Sequence, residues 1–173
     1  MYRLSFVGHD IRMGTAQAAS KASEMLGMAY MDAPVITANR AGQTLPDVRC
    51  VIARHMGSWF SHDNLCFTSL HGFKPHGIVV CYDMFPQGEY FYNTKTVRCS
   101  FSDTIDSIEL YCEKRGVELL AIALDGRTQQ SDEECLCSEI AEQYGKLTYV
   151  PTTINDANVQ FTTMLLAKIG EHV

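Results

Sequence analysis

Two glycines bracket a short polar segment near the start of the chain, Val7-Gly8-His9-Asp10-Ile11-Arg12-Met13-Gly14-Thr15-Ala16, between an apolar run and a helical pattern. A turn of this kind aims backbone N–H groups and the positive end of a helix at one point, which is the chemistry of an anion site. Gly8, His9, Asp10, Arg12, Gly14 and Thr15 are therefore candidate ligand-binding residues, with Arg12 supplying the charge. A phosphate loop that works with magnesium needs more: a lysine after the last glycine for the β- and γ-phosphates, and a hydroxyl on the metal. Thr15 stands where that lysine would be, followed by Ala16 and Gln17. A unit charge about 4 Å from a phosphate oxygen is worth on the order of 4 kcal/mol at an effective dielectric near 20. Ordinary magnesium-nucleotide hydrolysis is thus not expected, and the chain does not read as a typical ATPase. Glycine at a strand-to-helix turn is also what any α/β protein favours, and that plainer reading stands beside the ligand one.

A second concentration of reactive side chains is His55, His62, His71 and His76, with Asp63 and Cys66 among them. No two form an HxH or HxxxH pair, so spacing alone does not bring them to one metal, and separate loop and cap histidines are the plainer reading. His62 is the candidate for chemistry, because imidazole can take a proton from an amine near neutral pH. His71, beside Gly72, reads either as a ligand contact or as a turn residue. The segment Asp83-Met84-Phe85-Pro86-Gln87-Gly88-Glu89-Tyr90-Phe91-Tyr92 would form a pocket wall or pack down on the sheet. Cys66 and Cys81 have no assignable base and are weak nucleophile candidates.

These residues need a scaffold. The 173 residues, 46% apolar and 20% charged, suit one globular domain spanning 1–173. Short apolar runs at Arg3–Val7, Ala33–Ala38, Val48–Ala53, Gly77–Cys81, Val117–Leu124 and Leu147–Val150, several without alternation, read as strands covered on both faces. Helical patterns separate them. One runs from Thr15 to Leu26 with Gly27 as a left-handed cap, and one from Asp103 to Arg115 stops at Gly116. Another follows a Ser131/Glu134 capping box, with Leu136, Ile140 and Tyr144 on its buried stripe and Gly145 closing it; the last covers Asp156 to Ile169. The expectation is an α/β three-layer sandwich with a mostly parallel sheet. Ligands would bind beyond the carboxyl ends of the strands, in the loops 8–14, 39–47, 54–64 and 82–99.

A net charge of −6 disfavours a nucleic-acid partner. No run approaches a membrane span and the first residues do not make a signal peptide, so a cytoplasmic protein with no membrane partner is expected. Seven cysteines without a CxxC pair indicate neither a disulfide framework nor a zinc ribbon, and most are expected to be buried. Cys135 and Cys137 would point to different faces of a helix, which makes joint chelation awkward.

The segment Val7 to Gly14 resembles the G-T-D-x-x-V-G-K loop of dethiobiotin synthetase-like P-loop proteins, which implies a P-loop NTPase-like fold. Further stretches resemble, in order, a family that includes D-glutamate N-acetyltransferases: Ala41-Gly42-Gln43-Thr44, Gly57-Ser58-Trp59-Phe60-Ser61-His62, Leu70-His71-Gly72, Ile108-Glu109-Leu110-Tyr111 and Ala121-Ile122-Ala123-Leu124-Asp125. The resemblance implies a P-loop-like domain that handles a nucleotide or acyl-coenzyme A. In the family's acetyltransferase branch an acetyl group moves onto the amine of an amino acid. Against that pattern, Thr15 replaces the loop lysine and Arg54 replaces a carboxylate after the third strand, so the site is degenerate and magnesium is not expected to belong to it. Set against the family's pattern, the chain is expected to lack the N-terminal domain that precedes this part and to be shortened between Thr44 and Val48.

Two functions follow. In the first, the loop 8–14 holds acetyl-coenzyme A or ATP without magnesium. Arg12, Arg54, Ser58 and His71 would contribute to the small-molecule anionic ligand, and His62 would act as base in an N-acetyltransferase-like reaction. In the second, the chain is a non-catalytic subunit or interaction module, as a homo-oligomer or beside a partner subunit.

Overall fold

The computed structural model describes residues 1–9, 15–29, 33–38, 44–60, 64–83, 100–125, 138–150 and 156–172. Six strands form one sheet: β1 (Tyr2–Gly8), β2 (Val35–Thr37), β3 (Cys50–Ser58), β4 (Gly77–Asp83), β5 (Glu118–Asp125) and β6 (Leu147–Tyr149). Every pairing is parallel and the order is β2-β3-β1-β4-β5-β6. The helices are α1 (Thr15–Ala29), α2 (Leu65–Phe73), α3 (Phe101–Arg115), α4 (138–144) and α5 (Asp156–Glu171).

The unalternated apolar runs become strands with a helix layer on each face, because both sets of side chains must leave water. Leu4 and Phe6 of β1, with Ile52, Val79, Cys81 and Ala123, meet Ala18, Ala22 and Leu26 of α1 and Phe161 and Leu165 of α5. On the other face Val7, Ile78, Val80, Ile122 and Leu124 meet Cys66 and Leu70 of α2 and Ile105, Ile108 and Cys112 of α3. Three layers result, as expected. Each wholly buried Leu, Ile or Val in these layers contributes roughly 1.5–3 kcal/mol. The carboxamide of Asn158 accepts from Val150 N at 2.9 Å and donates to Val150 O at 2.7 Å, which docks α5 directly behind β6. Tyr149 ties β6 to α1 by donating to Ala18 O at 2.7 Å.

Apart from β3, the strands stand close to their expected limits, as do α3 and α5. Ser100 caps α3 by accepting from Asp103 N, and Gly116 ends it in the left-handed region at φ 65°. Three expectations are corrected. Gly27 does not cap α1: the helix continues to Ala29, and Gly27 faces open space. The strand expected to end at Ala53 runs on to Ser58, so Arg54, His55 and Ser58 lie on β3 and not in a loop. His71 and Gly72 belong to α2, a helix the reading of the sequence missed. The Ser131/Glu134 box and Leu136 lie outside the described residues, while Ile140 and Tyr144 of α4 are half-buried. Cys50, Cys66, Cys81 and Cys112 are buried, and burial pushes the Cys50 thiol up to about 12; Cys99, Cys135 and Cys137 lie outside the described residues.

Candidate functional site

Strand order reverses at β1. The chain leaves β1 through α1 toward β2 on one side, and later crosses from β3 to β4 on the other, so β1 lies between β3 and β4. In an open parallel sheet the crevice past the carboxyl end of such a strand is where ligands bind, because the connecting segments part there. The end of β1 is held from both sides. Trp59 N donates to Gly8 O at 2.9 Å, and His9 N donates to Cys81 O at 2.9 Å. At the far end of the connection Thr15 is the first residue of α1, and the buried Ala18, Ala19 and Ala22 hold that helix against the sheet. Its first-turn N–H groups have no partner within the helix, and no acidic side chain in that turn neutralises them.

Around this edge His9 meets Thr104, Tyr82 and Phe101, side chains that sequence reasoning did not single out. The Nδ1 of His9 is 2.7 Å from the Thr104 hydroxyl on α3, and Thr104 Oγ1 also donates to Ser100 O at 3.3 Å. Tyr82, at the end of β4, stacks on Phe101 with ring centres 4.0 Å apart; His9 meets both rings edge-on, and Tyr144 closes on Phe101 at 5.2 Å. The one readable signal for this wall was the Ser100/Asp103 pair at the start of α3. Trp59 is fully buried, with its indole N–H on Ser107 at 2.9 Å and its ring against Phe67 and Tyr111.

Ser58 is the last residue of β3, paired with Gly8 across a bulge that separates this pair from Phe6 and Arg54. It is 1% exposed, and its hydroxyl has no hydrogen-bond partner among the described residues. A buried hydroxyl without a partner costs about 1–3 kcal/mol, so an orphan at the carboxyl edge of the sheet is notable. Arg54 lies one step below the edge and donates through Nε to Thr37 Oγ1 at 3.0 Å, half-buried.

Of the expected site residues, the fold brings Gly8, His9, Thr15 and Ser58 to one edge, with Arg54 just beneath. It does not bring His71 there. His71 is exposed in the last turn of α2, which runs back from the end of β3 to the start of β4, and so it lies at the amino edge of the sheet. Of the four histidines singled out together in the sequence, the three described, His55, His71 and His76, do not converge. His55 is buried between Ser5 and Ser69, with Nε2 and Nδ1 each 2.8 Å from a hydroxyl, and burial pushes its pKa down to about 3. His76 accepts from Arg3 N at 3.0 Å and packs on Tyr2 and His172. Asp10, Arg12, Gly14, His62, Asp63 and residues 84–92 lie outside the described residues. Among the described residues no helix is long and apolar enough to cross a membrane.

No family model matches the sequence, and no curated protein does. Among solved structures the chain is similar to a nucleotide-binding protein from Archaeoglobus fulgidus in complex with ADP, a structure in which cobalt was found. The two share 11% of their residues with a TM-score of 0.59 over 99% of this chain and 88% of that one. At that identity the likeness is one of fold.

Proposed function

We propose that this chain binds a nucleotide, or another small molecule bearing phosphates, at the carboxyl edge of the sheet over the end of β1. The observation that carries the reading is the position of the β1-to-α1 connection at the reversal of strand order, with both of its ends held in place. A phosphate there would meet the first-turn N–H groups of α1, which have no partner within the helix, and the orphan hydroxyl of Ser58 would serve as an added donor. Arg12 would supply the charge that Thr15 cannot. The aromatic wall of Tyr82, Phe101 and Tyr144 would offer apolar surface beside the phosphates. The likeness in fold to a protein that holds ADP supports this reading.

Acyl transfer receives no such support, and coenzyme A enters only as a second phosphate-bearing probe. Calorimetric titration with ADP, ATP and acetyl-coenzyme A, each with magnesium and with chelator, tests the proposal. Saturable binding of ADP at one site is expected, and it should persist in chelator because the metal-reaching parts of the loop are replaced. Failure of all three ligands to bind in either buffer would overturn it.

A further inference from the structure

We propose that the groove between the C-terminal ends of α2 and α3 binds a small organic anion, one with a flat apolar body and a single carboxylate or phosphate head. The cavity holds about 230 Å³. Leu70, Pro75 and Val117 form its apolar floor and Tyr111 one wall, while His71, Lys74 and Arg115 stand on its rim. Among the described residues no Asp or Glu lines it. In a chain of net charge −6 that is a local reversal of sign.

Among the described residues Lys74 and Arg115 take part in no ion pair; the pairs there are Lys21–Glu24, Lys146–Glu109 and Lys168–Glu118. Arg115 turns instead to another basic side chain and to a ring: its Nη1 lies 3.3 Å from His71 Nδ1, and its Cζ 5.6 Å from the centre of Tyr111. A guanidinium only donates, so His71 Nδ1 accepts and the ring's proton sits on Nε2, a second donor at the rim. Arg3 approaches from behind, donating through Nε to Lys74 O at 2.6 Å. Basic residues in the last turn of a helix complement its dipole. That accounts for His71 and Arg115 singly, but not for an apolar-floored cavity between them.

The chemistry that fits has two parts. A carboxylate or phosphate would take paired N–H bonds from Arg115 and a point charge from Lys74. A ring or short aliphatic body would cover Leu70, Val117 and the face of Tyr111. A whole nucleotide is too large, since pockets for such ligands run to roughly 300–1,000 Å³. Because α2 and α3 span the sheet, this groove lies at the amino edge, away from Gly8, and does not depend on the nucleotide reading. Trp59 touches Tyr111, so its emission would respond to both sites and cannot tell them apart.

Amide chemical shifts of the full chain separate them. With phenyl phosphate and with benzoate as probes, saturable shifts are expected at residues 70–75 and 111–117. Inorganic phosphate should bind more weakly, and benzylamine, of the same shape and opposite charge, should produce none. Arg115→Gln should weaken phenyl phosphate about tenfold, whereas Lys114→Gln, outside the groove, should not. Should Arg115→Gln fail to fold, Lys74→Gln carries the same test. Equal binding of benzylamine, equal binding of inorganic phosphate, insensitivity to the rim variants, or no saturable shift would each overturn the proposal.

Discussion

The imidazole of His9, one residue beyond β1, is joined at 2.7 Å to the hydroxyl of Thr104, 95 positions further along the chain. The Thr104 proton has the Ser100 carbonyl to satisfy, so the proton of this contact comes from His9 Nδ1. The start of the connection from β1 to α1 is thereby fastened to α3 as well as to β3 and β4. Thr104→Val keeps the shape and removes the hydroxyl. We expect a loss of about 1 kcal/mol in urea unfolding and weaker binding of ADP. Unchanged affinity would show that this tie does not position the loop.

Ser58→Ala separates stability from binding. The hydroxyl is buried and has no partner among the described residues, so its removal should leave the unliganded protein as stable as before, or stabilise it by up to about 1 kcal/mol. ADP affinity should fall in the same variant. Thermal denaturation with and without ADP reads both. A variant that is clearly destabilised without ligand and binds ADP normally would show the hydroxyl to be structural.

His55 makes stability depend on pH. Its proton is needed on Nδ1 for Ser69, whose own proton goes to the Leu65 and Cys66 carbonyls, leaving Nε2 to accept from Ser5. Burial holds the folded-state pKa at about 3, below the ordinary 6.5. The unfolded chain therefore takes up a proton that the folded chain refuses. The stability at stake is fully present above about pH 6.5 and is lost as the pH falls toward 3, on the order of 5 kcal/mol in full. His76, pushed down to about 4 by burial and then by Arg3 and His172, acts in the same direction, but solvent around it leaves little energy. Urea midpoints should fall steadily from neutral pH downward, and His55→Gln should flatten that slope while lowering stability at neutral pH. A wild-type curve without slope in this range would contradict the account.

Gly77 opens β4 with no room for a side chain. A Cβ there would lie 2.5 Å from Tyr2 Oη and 2.6 Å from Leu120 Cδ1, with both side chains packed in the core. Leu120 is the extra residue of a bulge in β5, since Ile78 pairs with Leu119 and Val79 with Ala121. Gly77→Ala should cost about 1–3 kcal/mol in unfolding measurements, and Leu120→Ala in the same chain should recover part of it. Additive losses would mean that the two side chains do not compete for this space.

The layers were legible because Val79, Val80, Ile122 and Ala123 follow one another without a polar break, which only a sheet covered on both faces tolerates. The end of β3 was not. Arg54 and His55 read as a loop after Ala53, yet the strand continues because Ser5 and Ser69 satisfy the imidazole inside the core. Helix α2 gave no starting signal: Asn64 precedes it in the left-handed conformation, with no side-chain cap bond. The Gly8 and Thr15 ends of the loop were read from local spacing. Thr104, Phe101 and Tyr82 reach the same edge only through strand order, which local spacing does not contain.

Hydrogen exchange of backbone amides with and without ADP tests the central claim most directly. Slower exchange at Gly8, His9 and the first turn of α1 from Thr15, with residues 70–75 and 111–117 unchanged, is the predicted result. Saturating ADP that leaves Gly8, His9 and Thr15 exchanging as before would contradict it.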